Sequence, residues 1–96
     1  MDEKIPCRTP AIDRDGVTNI PKWKFEALEA AILGVLNEGD CPFADLKEEV
    51  RMRMDGDDLE RLGSLGWHLT TVKLEMEVRG DIKRLVGVSP QMLTLG

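Results

Sequence analysis

Gly66-Trp67-His68-Leu69-Thr70-Thr71-Val72-Lys73-Leu74-Glu75-Met76-Glu77-Val78-Arg79-Gly80-Asp81-Ile82-Lys83-Arg84 is the stretch whose reading decides the fold. Successive helical residues turn by roughly 100°, which sets Leu69, Val72 and Met76 on one face and Trp67, Thr71, Leu74 and Val78 on nearly the opposite one. The spacing predicts a helix from about residue 67 to 79 with two apolar faces, flanked by Lys73, Glu75 and Glu77. One face belongs on neighbouring helices. The other needs a cover from the N-terminal residues, the C-terminal strands or another molecule. Gly80-Asp81 suits the helix end, and residues 82–86 and 92–95 read as two short strands joined by Gly87-Val88-Ser89-Pro90-Gln91, a C-terminal β-hairpin.

Working outward, residues 1–21 hold Pro6, Pro10, Pro21 and an Asp13-Arg14-Asp15-Gly16 turn signal without helical periodicity, so they read as an extended N-terminal arm. Ile5, Ala11, Ile12, Val17 and Ile20 are enough to pin that arm to its own domain, or to a second subunit as an exchanged arm. A first helix opens near Pro21. Its apolar stripe is Trp23, Ala27, Leu28, Ala31, Ile32, Val35 and Leu36, all expected in the core, and Gly39 is placed to end it. After the Asp40-Cys41-Pro42 turn, Phe43, Leu46, Val50 and Met54 mark one face of a second helix. Asp57 or Asp58 is placed to cap a short helical segment through Leu62, and Gly63-Ser64-Leu65-Gly66 reads as a link.

Three long helices, the third passing through an Arg-Gly-x-Ile turn into a hairpin, resemble the winged helix-turn-helix domain. Residues 71–84 look like the end of a recognition helix entering its wing. The segment from Gly66-Trp67 to Gly80 is also similar to a family of small uncharacterised bacterial proteins, a domain of unknown function of winged-helix appearance. The expected fold is therefore α+β and mostly helical: an arm over residues 1–21 and a three-helix winged-helix domain over 22–96. In DNA-binding winged helices the third helix enters the major groove and the wing touches the backbone. The resemblance implies His68, Thr70, Thr71, Lys73 and Arg79 as nucleic-acid contacts, with Lys83 and Arg84 on the wing strand. The departure is chemical. A reading helix offers Arg, Lys, Asn or Gln to base edges, whereas this one presents Trp67, Leu74 and Val78 beside Glu75 and Glu77.

Charge bears on the same question. Thirteen Lys and Arg against eighteen Asp and Glu leave a net charge of −5, opposite in sign to the footprint of a free-standing nucleic-acid binder. Residues 37–60 hold nine acids against three bases, and only the segment from Trp67 onward is slightly basic, so a polyanion would have to meet the C-terminal third. With 96 residues, 42% hydrophobic, there is room for one core and little for an enclosed substrate pocket unless two copies combine. No apolar run is long enough for a membrane span, and Met1-Asp2-Glu3-Lys4 lacks the pattern of a secretory signal, so a cytoplasmic protein is expected.

Chemistry is sparse. Cys7 and Cys41 are 34 positions apart with no paired cysteines and one histidine, so both read as reduced thiols, with a disulfide or a weak metal site shared with His68 as the alternatives. His68 has no nucleophile at a suggestive spacing and reads as a solvated or capping histidine. Asp55, Asp57, Asp58 and Glu60 lack the ligand alternation of a calcium loop and read as a capped turn. Thr70 and Thr71 read as surface or back-bonded residues ahead of phosphate contacts, and Trp67 as a residue of its own core ahead of an anchor in a partner's pocket. No catalytic residue, metal or cofactor is expected. Two roles remain: a nucleic-acid-binding or transcription-associated protein, as the fold resemblance implies, or a module for dimerisation or a protein partner. In the second, the contact face is Trp67, Leu74 and Val78 on the third helix, or the acidic second helix toward a basic partner.

Overall fold

The N-terminal residues lie extended on their own domain, paired with one another. In the computed structural model, which describes residues 3–8, 17–85 and 91–96, β1 (Lys4–Arg8) pairs antiparallel with β2 (Val17–Pro21), setting Ile5 opposite Ile20 and Cys7 opposite Thr18. The pairing has a simple cause: a lone extended segment leaves its backbone groups unpaired, and pairing two such segments satisfies them. Cys7 and Ile20 are buried, while Ile5 packs at the edge of the core. The turn signal at Asp13–Gly16 lies outside the described residues.

Pro21 ends β2 in an extended conformation and is the N-cap of α1 (Lys22–Asn37), one residue before its first turn. Phe25, Leu28, Ala31, Ile32, Val35 and Leu36 form its buried face, and Gly39 follows it with φ +142°, a conformation that favours glycine. Trp23 lies at the rim, half-buried beneath the Arg61 guanidinium at 4.6 Å, and is not a core residue. Residues Cys41 and Pro42, read as a turn, form a short strand, β3 (Cys41–Pro42), ahead of α2 (Phe43–Arg53). Leu46 and Val50 of α2 are buried, with Phe43 and Met54 packed at the core's edge as their spacing requires.

Four helices occur among the described residues, the three long ones and, as a full helix, the short segment expected through Leu62. This is α3 (Gly56–Leu62), and its N-cap is Asp55 rather than Asp57 or Asp58: the Asp55 carboxylate accepts the Asp57 N–H at 3.1 Å. Gly63 breaks the chain, and α4 (Leu65–Arg79) begins two residues earlier than its periodicity indicated, because Ser64 Oγ accepts the Trp67 N–H at 3.2 Å and caps it. Gly66 is thus helical. At the other end Gly80 takes φ +82°, and the Asp81 N–H reaches back to the Met76 carbonyl at 3.0 Å, closing the helix with the left-handed glycine turn that its sequence indicated.

The C-terminal hairpin is present as β4 (Ile82–Arg84) and β5 (Met92–Leu95), with Ile82 opposite Leu95. Residue 86, expected in the first strand, and the turn at 87–90 lie outside the described residues. β3 adds to the hairpin on the far side of β5, Cys41 opposite Leu93, giving the order β3-β5-β4. The fold is α+β. Its core lies between α1, α2 and α4, sealed on one side by the N-terminal hairpin on α4 and on the other by Leu93 and Ile82 of the sheet.

Candidate interaction face on the fourth helix

α4 is the hub of the molecule, touching α1, α2, α3, β1 and β4. Leu69, Val72 and Met76 are buried, and so, against the flank positions expected of them, are Lys73 and Glu75, at 3% and 1% exposure. A charge removed from water persists only with close partners. Glu75 finds three. Its carboxylate accepts the Arg8 backbone N–H at 2.8 Å, the Arg8 guanidinium at 2.8 and 3.0 Å and Arg79 Nε at 2.7 Å. Burial pushes this carboxyl upward, but the hydrogen bonds from Arg8 and Arg79 outweigh it and hold the group at about 2. Arg79 is also occupied by Glu29 at 3.8 Å and stacks on Phe25 at 4.7 Å.

Lys73 is held on the other side of the helix. Its Nζ lies 3.0 Å from Glu77 Oε2, donates to Gln91 Oε1 at 3.2 Å and sits 4.4 Å from the centre of the Phe43 ring. Glu77 in turn binds Arg84 Nε through its other oxygen at 2.8 Å. Both i,i+4 spacings, Lys73 with Glu77 and Glu75 with Arg79, were visible in the sequence. Their burial was not, because it depends on Arg8 and Gln91 arriving from distant parts of the chain.

The residues expected to meet nucleic acid are therefore mostly engaged within the molecule. Lys73 is enclosed, Arg79 pairs with Glu75, and Arg84 pairs with Glu77. The Thr71 hydroxyl donates back to the Trp67 carbonyl at 2.9 Å, and His68 Nδ1 lies 2.7 Å from the Ser64 carbonyl oxygen, each tied to its own helix. Thr70 and Lys83 are exposed.

α4 presents one uncharged arc to solvent, apart from the exposed Arg79 on its paired flank. At roughly 100° per residue, Trp67, Thr70, Thr71, Leu74 and Val78 occupy one arc spanning about a third of the helix, and none carries charge. Trp67 is 51% exposed, a correction to its expected place in the core, while Leu74 and Val78 are partly buried. N-terminal packing explains this: the β1–β2 hairpin covers the Glu75 and Arg79 flank and leaves the Trp67 arc open.

Elsewhere, an open cleft of about 350 Å³ between the α1 end and α2 is lined by Glu38, Asp40, Asp45 and Glu49, with Arg53 paired to Glu38 and Glu49 across it. Among the described residues no three His, Cys, Asp or Glu side chains are grouped to hold a metal, and no helix is long and apolar enough to cross a membrane. Cys7 and Cys41 are free and buried, and burial raises both thiols, Cys7 to about 11.

No curated protein and no solved structure matches this chain. A family of unknown function, DUF6958, matches residues 4–93, which takes in the N-terminal hairpin, all four helices and the sheet as far as Leu93. The chain belongs to that family.

Proposed function

We propose that the chain is a protein-interaction module without DNA readout, which meets its partner through the outward arc of α4. We read the order α1-β3-α2-α4-β4-β5, with the last strand between the other two, as a winged-helix path with α3 inserted, and on that reading α4 is the counterpart of the reading helix. The observation that carries the proposal is the composition of its open arc, Trp67, Thr70, Thr71, Leu74 and Val78, in a chain of which 32% is charged. Phosphate binding draws its strength from cations that displace counterions, and Lys73, Arg79 and Arg84 are already bound to carboxylates. A half-exposed Trp beside aliphatic side chains is the composition of an interface centre. No nucleophile, metal set or acid–base pair enters this reading, which is non-enzymatic.

Fluorescence anisotropy with random-sequence duplex DNA, from about 50 to 200 mM salt, tests it. The expected result is no binding at micromolar protein. Binding that falls steeply with salt, and that Lys83→Glu with Arg84→Glu abolishes, overturns the proposal in favour of nucleic-acid recognition.

A further inference from the structure

The open arc of α4 has a spacing as well as a composition. Trp67, Thr71, Leu74 and Val78 follow one another by four, three and four residues, the alternation of d and a positions in a heptad seam. On that register Trp67 and Leu74 fall at d, and Thr71 and Val78 at a. Trp67 and Leu74 at d with β-branched Thr71 and Val78 at a make an apolar stripe of the kind that a facing helix covers. Of the five buried residues, Leu69, Val72, Lys73 and Met76 fall at f, b, c and f and only Glu75 falls at a flank, e, so the centre of the seam points away from the molecule's own core. The occupant that suits this face is another helix.

We infer that the occupant is α4 of a second copy of this chain, crossing antiparallel; this rests on the interaction reading above. Two observations select it. Each copy carries a net charge of −5, with nine acids in residues 37–60, so two copies approach at least electrostatic cost where neither presents charge, and the α4 arc is such a surface. The seam is also self-complementary in volume. An antiparallel pairing about its midpoint sets Trp67 against Val78 of the other copy and Thr71 against Leu74, large against small in every layer. A parallel pairing would stack tryptophan on tryptophan and valine on valine. The contact runs for about 16 Å of helix, well short of a standard interface, which makes the dimer weak and concentration-dependent.

Sedimentation equilibrium of the full chain, from about 5 µM to 1 mM, measures the association. The expected result is a mass rising from 10.8 kDa toward its double, with Leu74→Asp, and separately Thr71→Arg, staying monomeric at unchanged helical circular dichroism. Two variants guard against one that fails to fold. Orientation is read by mixing Trp67→Cys with Val78→Cys chains under mild oxidation, since Cys7 and Cys41 are buried: an antiparallel pair gives the mixed disulfide, whereas each variant alone holds its new thiols about 16 Å apart and gives none. Homodisulfides in place of the mixed one overturn the antiparallel arrangement. Association that survives both substitutions overturns the assignment to this face. A chain that stays monomeric at 1 mM overturns the second copy. If that monomer also fails to bind DNA, the interaction reading stands without it; if it binds DNA through Lys83 and Arg84, both fall.

Discussion

Glu75 shows at the scale of one residue how a charge becomes part of a core. Its carboxyl is held at about 2, so it is ionised in the folded chain at every pH at which the unfolded chain, near 4.5, is also ionised, and remains so below that. The stabilisation is fully present above about pH 4.5 and disappears as pH falls from there through about 2, amounting to about 3 kcal/mol at neutral pH. Urea denaturation should therefore show Glu75→Gln destabilised by about that amount at pH 7 and level with the parent near pH 2. Cys7 works in the opposite direction. Its thiol is raised to about 11 by burial, so the folded state keeps a proton that the unfolded state releases near 9, and stability falls as pH rises from 9 through 11. Alkylation at pH 8 followed by mass spectrometry should leave both Cys7 and Cys41 unlabelled until the chain is denatured. Little of this was legible in the sequence. Glu75 was placed on the rim of its helix because an isolated glutamate on an amphipathic wheel belongs there. The arginine that draws it inward lies 67 positions away on a strand.

At the scale of elements, local signals served well where their chemistry was local. Pro21 before α1, Gly39 after it, Gly80 at the end of α4 and the apolar spacing of α2 each name their element from within a few residues, and the structure follows them. The structure departs from those signals where a backbone group finds an acceptor that periodicity does not reveal. Ser64 moved the start of α4 to Leu65, and Ser64→Ala should cost about 1 kcal/mol in thermal or urea denaturation. Two residues are too few for a pattern, so Cys41-Pro42 disclosed no strand until Leu93 lay beside it. The N-terminal segment was recognised as extended but not as paired. Between elements, Lys73 joins α4 to Gln91 and Phe43, while Glu77 joins it to Arg84. Lys73→Met leaves a buried Glu77 with Arg84 alone and should lower stability by about 3 kcal/mol, whereas Lys73→Met with Glu77→Leu should recover most of it; a double-mutant cycle in urea measures the difference.

At the scale of the whole molecule, the candidate face was visible as a stripe, and its state was not. Whether Trp67 sits inside or out depends on which flank of α4 the N-terminal hairpin covers, a tertiary choice that no periodicity encodes. Two copies with a net charge of −5 that meet on uncharged surfaces repel less as salt rises, so self-association should strengthen modestly between about 50 and 300 mM salt. That is opposite in sign to any phosphate contact, and sedimentation at two ionic strengths reads it directly. The sheet carries a consequence for the order in which the molecule can be completed. β5 lies between β3 and β4, yet it is made after both, so a chain growing from its N-terminus holds two strands with no common neighbour until residues 92–95 emerge. Helices and the N-terminal hairpin can form while synthesis proceeds. The groove that awaits Leu93 cannot close, and the nascent protein carries that unfilled seam until residues 92–95 emerge to fill it.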